Sequence, residues 1–365
     1  MTKQEKELFK QLCSFKSKKL DTELLSCTSP EVLGQLFINR MQAIAYGKLK
    51  DNNLLNNTNR EFRNSLKTAY ESNVIKNDSY FTCIEYINKL FNKCNCNYAL
   101  LKGAYLCQYY PKGFRTSNDI DLLVTPEDVT TLSKILYNNG FKQGQVRNDK
   151  FIPATRAEII TSKMTRGETI PYIKEVNLPG MKFLEIDINF SLDYKPSDAT
   201  VLNSMLKRVI RKNVNGLTIQ TLDDADFFIH LCNHLYKEAT TLPWVEMHRD
   251  MTLYKYCDIY SLLSDASNEY IDEIFKRAKE IDEEKICAFA IIQTSQLFDF
   301  ENEYALSIAI KILNQDMDFL HTVISPTDNK TYIYVRKNIA ERLFTKNRRR
   351  LLLEVKQDEK LKNET

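Results

Sequence analysis

The longest purely apolar run in this 365-residue chain is ICAFAII, Ile286 to Ile292, far short of the roughly 20 residues that a membrane-spanning helix needs. A helical span is excluded. Charge of one sign is equally scarce: 51 Lys and Arg stand against 48 Asp and Glu, a formal net charge of +3, which excludes a general nucleic-acid coat. The opening residues, MTKQEKELFKQLCSFKSKK, are charged throughout and lack the apolar centre of a secretion signal. The chain is therefore expected in the cytoplasm. Internal repeats, low-complexity tracts and a clean linker are also missing. The nine cysteines are odd in number and scattered along a chain too long to need stapling, so they read as reduced thiols. Cys94 and Cys96, in NKCNCNYA, form half of a zinc site at most, because no second Cys or His pair follows at finger spacing.

What remains is an ordinary globular composition, 27% charged and 43% hydrophobic, in a chain long enough for two domains. Its texture changes along the sequence. Residues 1–95 show apolar positions at steps of three and four, in LFKQL, VLGQLFINRMQAIAYGKL and YFTCIEYINKLFNKC, which predicts a helical segment. Residues 96–220 carry short apolar runs broken by Gly, Pro and Asn, namely YALLKG, DIDLLV, MKFLEIDINFSL and VNGLTI. This is the strand-rich core. Helical spacing returns over 221–325, in DDADFFIHLCNHLYKEA, LYKYCDIYSLL and EEKICAFAIIQTSQLF, and residues 326–365 form a basic segment and a polar tail. The expected fold class is α+β, a small mixed β-sheet flanked by N-terminal helices and a C-terminal helical lobe.

The run DIDLLV raises a physical question. Alternate side chains of a strand share a face, so Asp119 and Asp121 point the same way with Cα atoms about 6.6 Å apart, inside an otherwise apolar stretch. Two like charges there repel unless a cation sits between them. Magnesium favours a few carboxylates together with phosphate oxygens and water. Upstream, YALLKG reads as a strand ending in Lys102 and Gly103, with helical spacing in AYLCQYY beyond it. Such a strand-to-helix turn presents backbone N–H groups to an anion, and glycine allows close approach. Lys112 and Arg115, in the loop PKGFRTSN, carry charge that can reach a polyphosphate. Downstream, alternation in KFLEIDINFSL puts Phe183, Glu185, Asp187 and Asn189 on one face and Leu184, Ile186, Ile188 and Phe190 on the other. If this strand pairs beside DIDLLV, Asp187 or Glu185 joins the first two carboxylates. Three such groups suit the two-metal chemistry of phosphoryl or nucleotidyl transfer.

This set, a KG turn after a strand, an Arg in the loop, DIDLLV and a later acidic strand, resembles the nucleotidyltransferase superfamily of the DNA polymerase β type. More narrowly, it resembles the bacterial "uncharacterised nucleotidyltransferase" family, and TLDDADFFIHLCNHLYK with LYKYCDIYSLL is similar to that family's helical lobe, so the likeness spans roughly residues 80 to 300. The resemblance implies metal ligands and catalytic residues at Asp119, Asp121 and Asp187, and nucleotide binding at Lys102, Gly103 and Arg115. Two departures stand out. Lys102-Gly103-Ala104 replaces the usual Gly-Ser turn, so Lys102 would substitute electrostatically for the missing hydroxyl. Glu185 competes with Asp187 for the third ligand position, and Asp187 is favoured because INFSL after it matches the family better. The implied reaction is transfer of NMP, AMP in first place, from an NTP with magnesium or manganese. The helical lobe would close over the nucleotide. The acceptor is expected to be a small molecule, peptide or protein rather than RNA, because the one basic patch visible in the sequence, KNRRR at Lys346 to Arg350, lies outside the matching region.

Blander and rival readings have their own signals. A DxD pair also serves metal-dependent glycosyltransferases, against which the preceding turn and the third carboxylate argue. A non-catalytic regulator of the toxin–antitoxin kind would not need intact carboxylates. His230 and His234 stand one turn apart in HLCNH, yet position 231 is Leu where a metalloprotease pair needs Glu, so they read as histidines satisfied in packing. Asp258, among aromatics in KYCDIY, is a further candidate for the cleft, with capping or a structural ion pair as the alternative. KNRRR itself reads as a solvated helix face.

Overall fold

The computed structural model describes residues 1–92, 94, 96–192 and 198–355. They form two compact units. One is built from Gln42–Leu55 and Asn59–His230, the other from Met1–Met41, Asn56–Thr58 and the described residues from Leu231 onward.

The first unit holds a six-stranded sheet: β1 (Tyr98–Leu100), β2 (Asp119–Val124), β3 (Lys142–Arg147), β4 (Lys150–Pro153), β5 (Tyr172–Leu178) and β6 (Met181–Asn189). Their order is β1-β2-β6-β5-β3-β4. β2 and β6 run parallel while β1–β2, β5–β6, β3–β5 and β3–β4 are antiparallel, so the sheet is mixed, as expected. A parallel central pair is usually covered on both faces and rich in aliphatic residues. DIDLLV meets that condition, with Ile120, Leu122, Leu123 and Val124 all fully buried. A hairpin of β7 (Ile210–Val214) and β8 (Leu217–Thr221) turns at Asn215-Gly216, where both residues take positive φ, +49° and +87°. That backbone suits Asn-Gly and fixes a two-residue hairpin.

A 32-residue helix, Arg60–Phe91, packs in the same unit and is capped by the Asn59 side chain, which accepts from the Phe62 N–H. Its second half buries Asn77, Tyr80, Ile84, Ile87 and Phe91 at steps of three and four, one continuous stripe. Cys83 on that helix meets Met181 at the start of β6, sulfur to sulfur 3.7 Å.

In the second unit the N-terminal helix Lys3–Cys13 joins the helices Leu253–Leu263, Asn268–Glu280, Glu284–Leu297 and Glu303–Leu313. None of the helices among the described residues is long and apolar enough to cross a membrane. The sequence gives no hint of the antiparallel sheet here, β9 (Thr322–Ile324), β10 (Thr331–Tyr334) and β11 (Leu352–Glu354). Strands of three or four residues are too short for alternation to register. KNRRR also departs from the expected solvated helix face. Arg348 is buried, with Nε 2.9 Å from both Asp250 carboxylate oxygens and Nη2 2.6 Å from Oδ1. Arg349 faces Glu246, and its guanidinium lies over Tyr332.

Candidate active site

The site begins at the end of β1. Leu101 N–H donates to the Asp121 carbonyl at 3.0 Å, after which Lys102 turns the chain with φ +40° and ψ −110°. That conformation is rare for a residue with a side chain and stores strain. Gly103–Leu106 then forms one helical turn. Glycine is required at 103 for a packing reason: a Cβ there would lie 2.6 Å from the Tyr80 hydroxyl. That hydroxyl donates to the Asp119 carbonyl at 3.0 Å, so turn, helix and β2 are locked together. Gly103→Ala should cost about 1–3 kcal/mol, the usual penalty of overpacking, read as a lower urea midpoint. An unchanged midpoint would show that Tyr80 yields freely.

Parallel pairing sets Asp119 opposite Glu185 and Asp121 opposite Asp187. Along β6 the side chains of Leu184, Ile186 and Ile188 are fully buried while Glu185, Asp187 and Asn189 are half-buried. The acidic face therefore follows from the period of two. Lys102 Nζ contacts Asp121 Oδ1 at 2.7 Å, and the Ser117 hydroxyl donates to Asp119. Asp187 has no hydrogen-bond donor or ion-pair partner among the described residues.

The electrostatics follow from this crowding. Burial pushes Asp187 well above the ordinary aspartate value, Asp121 and Asp119 push it further, and Lys102 only partly opposes them. Burial and Asp119 raise Asp121 despite its lysine partner. Glu185 is raised by burial and by Asp119. Asp119 differs: burial pushes it up, but the Ser117 hydroxyl, Lys102 and Arg115 hold it below the ordinary range. Burial disfavours the Lys102 charge, yet Asp121, Asp119 and Asp187 outweigh it and lift its pKa.

Four carboxylates thus face the cations Lys102 and Arg115, with Lys76 acting on Glu185 as well. Among the described residues no three His, Cys, Asp or Glu side chains are gathered as a ready-made ligand set. The donor chemistry still fits a divalent cation, because Asp187 lacks a partner among the described residues and stands beside Asp121, which raises its proton affinity.

Arg115 is positioned by the long helix. Asn77 Nδ2 donates to the Arg115 carbonyl at 2.8 Å, Gly113 N–H donates to Asn77 Oδ1 at 2.7 Å, and Asn73 Nδ2 donates to the Gly113 carbonyl at 3.0 Å. The Arg115 charge acts on Asp119 and Asp121. Its side chain also lines a cavity of about 270 Å³ shared with Asn77, Phe81, Gln108, Tyr110 and Lys112. Lys112 pairs with Asp78 at 2.6 Å on the surface.

Lys102, Gly103, Arg115, Asp119, Asp121, Glu185 and Asp187 all lie in the unit that holds the six-stranded sheet. Asp258 is buried in the helix Leu253–Leu263 of the other unit. His230 is buried, and His234 Nε2 lies 3.5 Å from Glu238 Oε1. Sequence reasoning passed over Tyr80, Asn77 and Ser117. Their signal was a polar pair spaced by three on an otherwise apolar helix stripe, and a hydroxyl two residues before Asp119.

A family model described as an uncharacterised nucleotidyltransferase matches residues 30–299. Among solved structures, an antigenic nucleotidyltransferase-like protein from Paracoccidioides brasiliensis matches at 14% identity with a TM-score of 0.32, covering 57% of this chain and 92% of that one. That likeness is too distant to argue from. No curated protein matches.

Proposed function

The chain belongs to the family of uncharacterised nucleotidyltransferases, and within it we propose that this enzyme transfers AMP from ATP to a hydroxyl or similar group of a small molecule, peptide or protein, releasing pyrophosphate. The observation that carries the reading is the in-register pairing of Asp121 with Asp187, the latter without a donor of its own among the described residues. Asp119, Asp121 and Asp187 would hold magnesium, or manganese in its place. When bound, the metal supplies charge stabilisation to the phosphates and activates the attacking oxygen.

The chain's own residues do the rest. Arg115 and Lys112, at the rim of the 270 Å³ cavity, bind the phosphates that leave. Lys102, already in contact with Asp121, balances the carboxylates and turns toward the triphosphate when they are neutralised. Asp187, with its raised proton affinity, accepts the acceptor's proton as its oxygen bonds to the α-phosphorus and the bond to the β-phosphate oxygen breaks.

The test is incubation with each α-labelled NTP and magnesium, alone and with cell extract. Label moving from ATP to a metabolite or protein, with pyrophosphate released, is expected; label from no NTP, or turnover of a nucleotide-sugar instead, would refute the reading.

The basic patch bears on the acceptor. Arg348 is committed to Asp250 and Arg342 is buried, which withdraws two cations from any nucleic-acid surface. Binding to tRNA or single-stranded RNA should therefore be weak, with little change between about 50 and 200 mM salt, the range in which phosphate contacts lose most affinity. Tight, steeply salt-dependent RNA binding would replace the small-molecule or protein acceptor with RNA.

A further inference from the structure

Arg342 is among the largest fully buried side chains of the protein, and it sits in the second unit, in the short helix Ile339–Leu343. Its guanidinium stacks over the Tyr334 ring at 4.3 Å. Nη2 lies 3.4 Å from His321 Nδ1, and Nε has no hydrogen-bond partner among the described residues. An arginine cannot shed its charge in a protein interior as a lysine or histidine can. A buried charge needs a counter-charge as well as hydrogen bonds.

Among the described residues the surroundings do not supply one. Asp250 is the carboxylate whose charge bears on Arg342, but both of its oxygens are held by Arg348, and the Tyr334 hydroxyl also donates to it at 3.2 Å. His321 is neutral, pushed down to about 4 by burial and by Arg342 itself. The balance of this interior cluster is two arginines against one aspartate. The neighbouring polar groups are already occupied: Tyr256 donates to Gln293 Oε1 at 2.8 Å, and Gln293 Nε2 donates to the Leu320 carbonyl at 3.0 Å.

Arg342, Asp250, Gln293, Tyr256, Tyr334 and Thr240 line a cavity of about 10 Å³, room for roughly one water-sized body. A water molecule would complete the hydrogen bonds and leave the excess charge. A small anion would do both. We propose that this cavity is a binding site for one monovalent anion of chloride size, held by the Arg342 guanidinium. Sulfate and phosphate are too large for it.

The experiment is the thermal midpoint of the full chain as chloride replaces methanesulfonate at constant ionic strength. A saturating rise with chloride and with bromide is expected, whereas sulfate and phosphate should give only the unsaturating rise of salts excluded from the protein surface. A flat response to chloride, or a saturating rise with sulfate, would overturn the proposal. Arg342→Met, if folded by circular dichroism, should lose the chloride response, and a variant that keeps it refutes the site. Should that variant not fold, a bromide-soaked wild-type crystal decides: an anomalous peak beside Arg342 Nε supports the site, and a water or no peak there ends it.

Discussion

Asparagine at position 121, or at position 119, is expected to abolish nucleotidyl transfer. In the metal-free protein the change at 121 should leave stability unchanged or slightly raised, whereas the change at 119 should lower it near neutral pH, because Asp119 alone of the site's carboxylates is held below the ordinary range. Carboxylate crowding explains the result at 121. Asp119, Asp121, Asp187 and Glu185 crowd one face of two paired strands, with Lys102, Arg115 and, at Glu185, Lys76 as the cations acting on them. Removing one negative charge lowers the repulsion among the rest. Lys102 keeps counter-charges, because its ammonium also feels Asp119 and Asp187. The lost carboxylate is, in the proposed reaction, a ligand whose removal no neighbour can replace, so turnover should fall to background. Activity is read with labelled NTP and stability by thermal unfolding in EDTA. Turnover retained in either variant would refute the assignment; a large fall in midpoint in Asp121→Asn would mean that Asp121 is structural.

Much of this arrangement was legible because it lies in short-range pattern. The period of two in KFLEIDINFSL separates the buried Leu184, Ile186 and Ile188 from the acidic face, and DIDLLV is apolar enough to demand a central position. Which strands pair is not a local property. The parallel register of Asp121 with Asp187 spans 66 residues of chain and is set by what covers the sheet, so the sequence could state it only as a condition. The expected role of Lys102 was less accessible still. Its contact with Asp121 depends on a backbone at φ +40° that no propensity predicts, and Tyr80 reaches Asp119 from a helix 39 residues upstream. In the second unit Arg348 was misread for the same reason: adjacent arginines look like a solvated patch until a distant Asp250 draws one inside.

The choice between the two acidic residues of β6 yields the other large effect. Asp187→Asn should cost at least about a hundredfold in turnover, and Glu185→Gln far less, as expected of a ligand and proton acceptor against a neighbour. Stability gives an independent reading in metal-free protein. The folded-state pKa of Asp187 is raised well above its ordinary value, so below an ordinary aspartate pKa of about 3.9 both states are protonated and the residue contributes nothing. As pH climbs past that point the unfolded chain ionises first, the folded state holds its proton, and stability is lost until the folded-state pKa is passed. Asn has no such titration. The midpoint of Asp187→Asn minus that of the wild type should accordingly be near zero in acid, grow upward from about pH 4 and level off above. Glu185 is raised in the same direction, by burial and Asp119, and lies opposite Asp119 rather than Asp121, so its curve should have the same sign and a smaller height. A larger loss of turnover in Glu185→Gln, or a pH-independent midpoint difference in Asp187→Asn, would transfer the third role to Glu185.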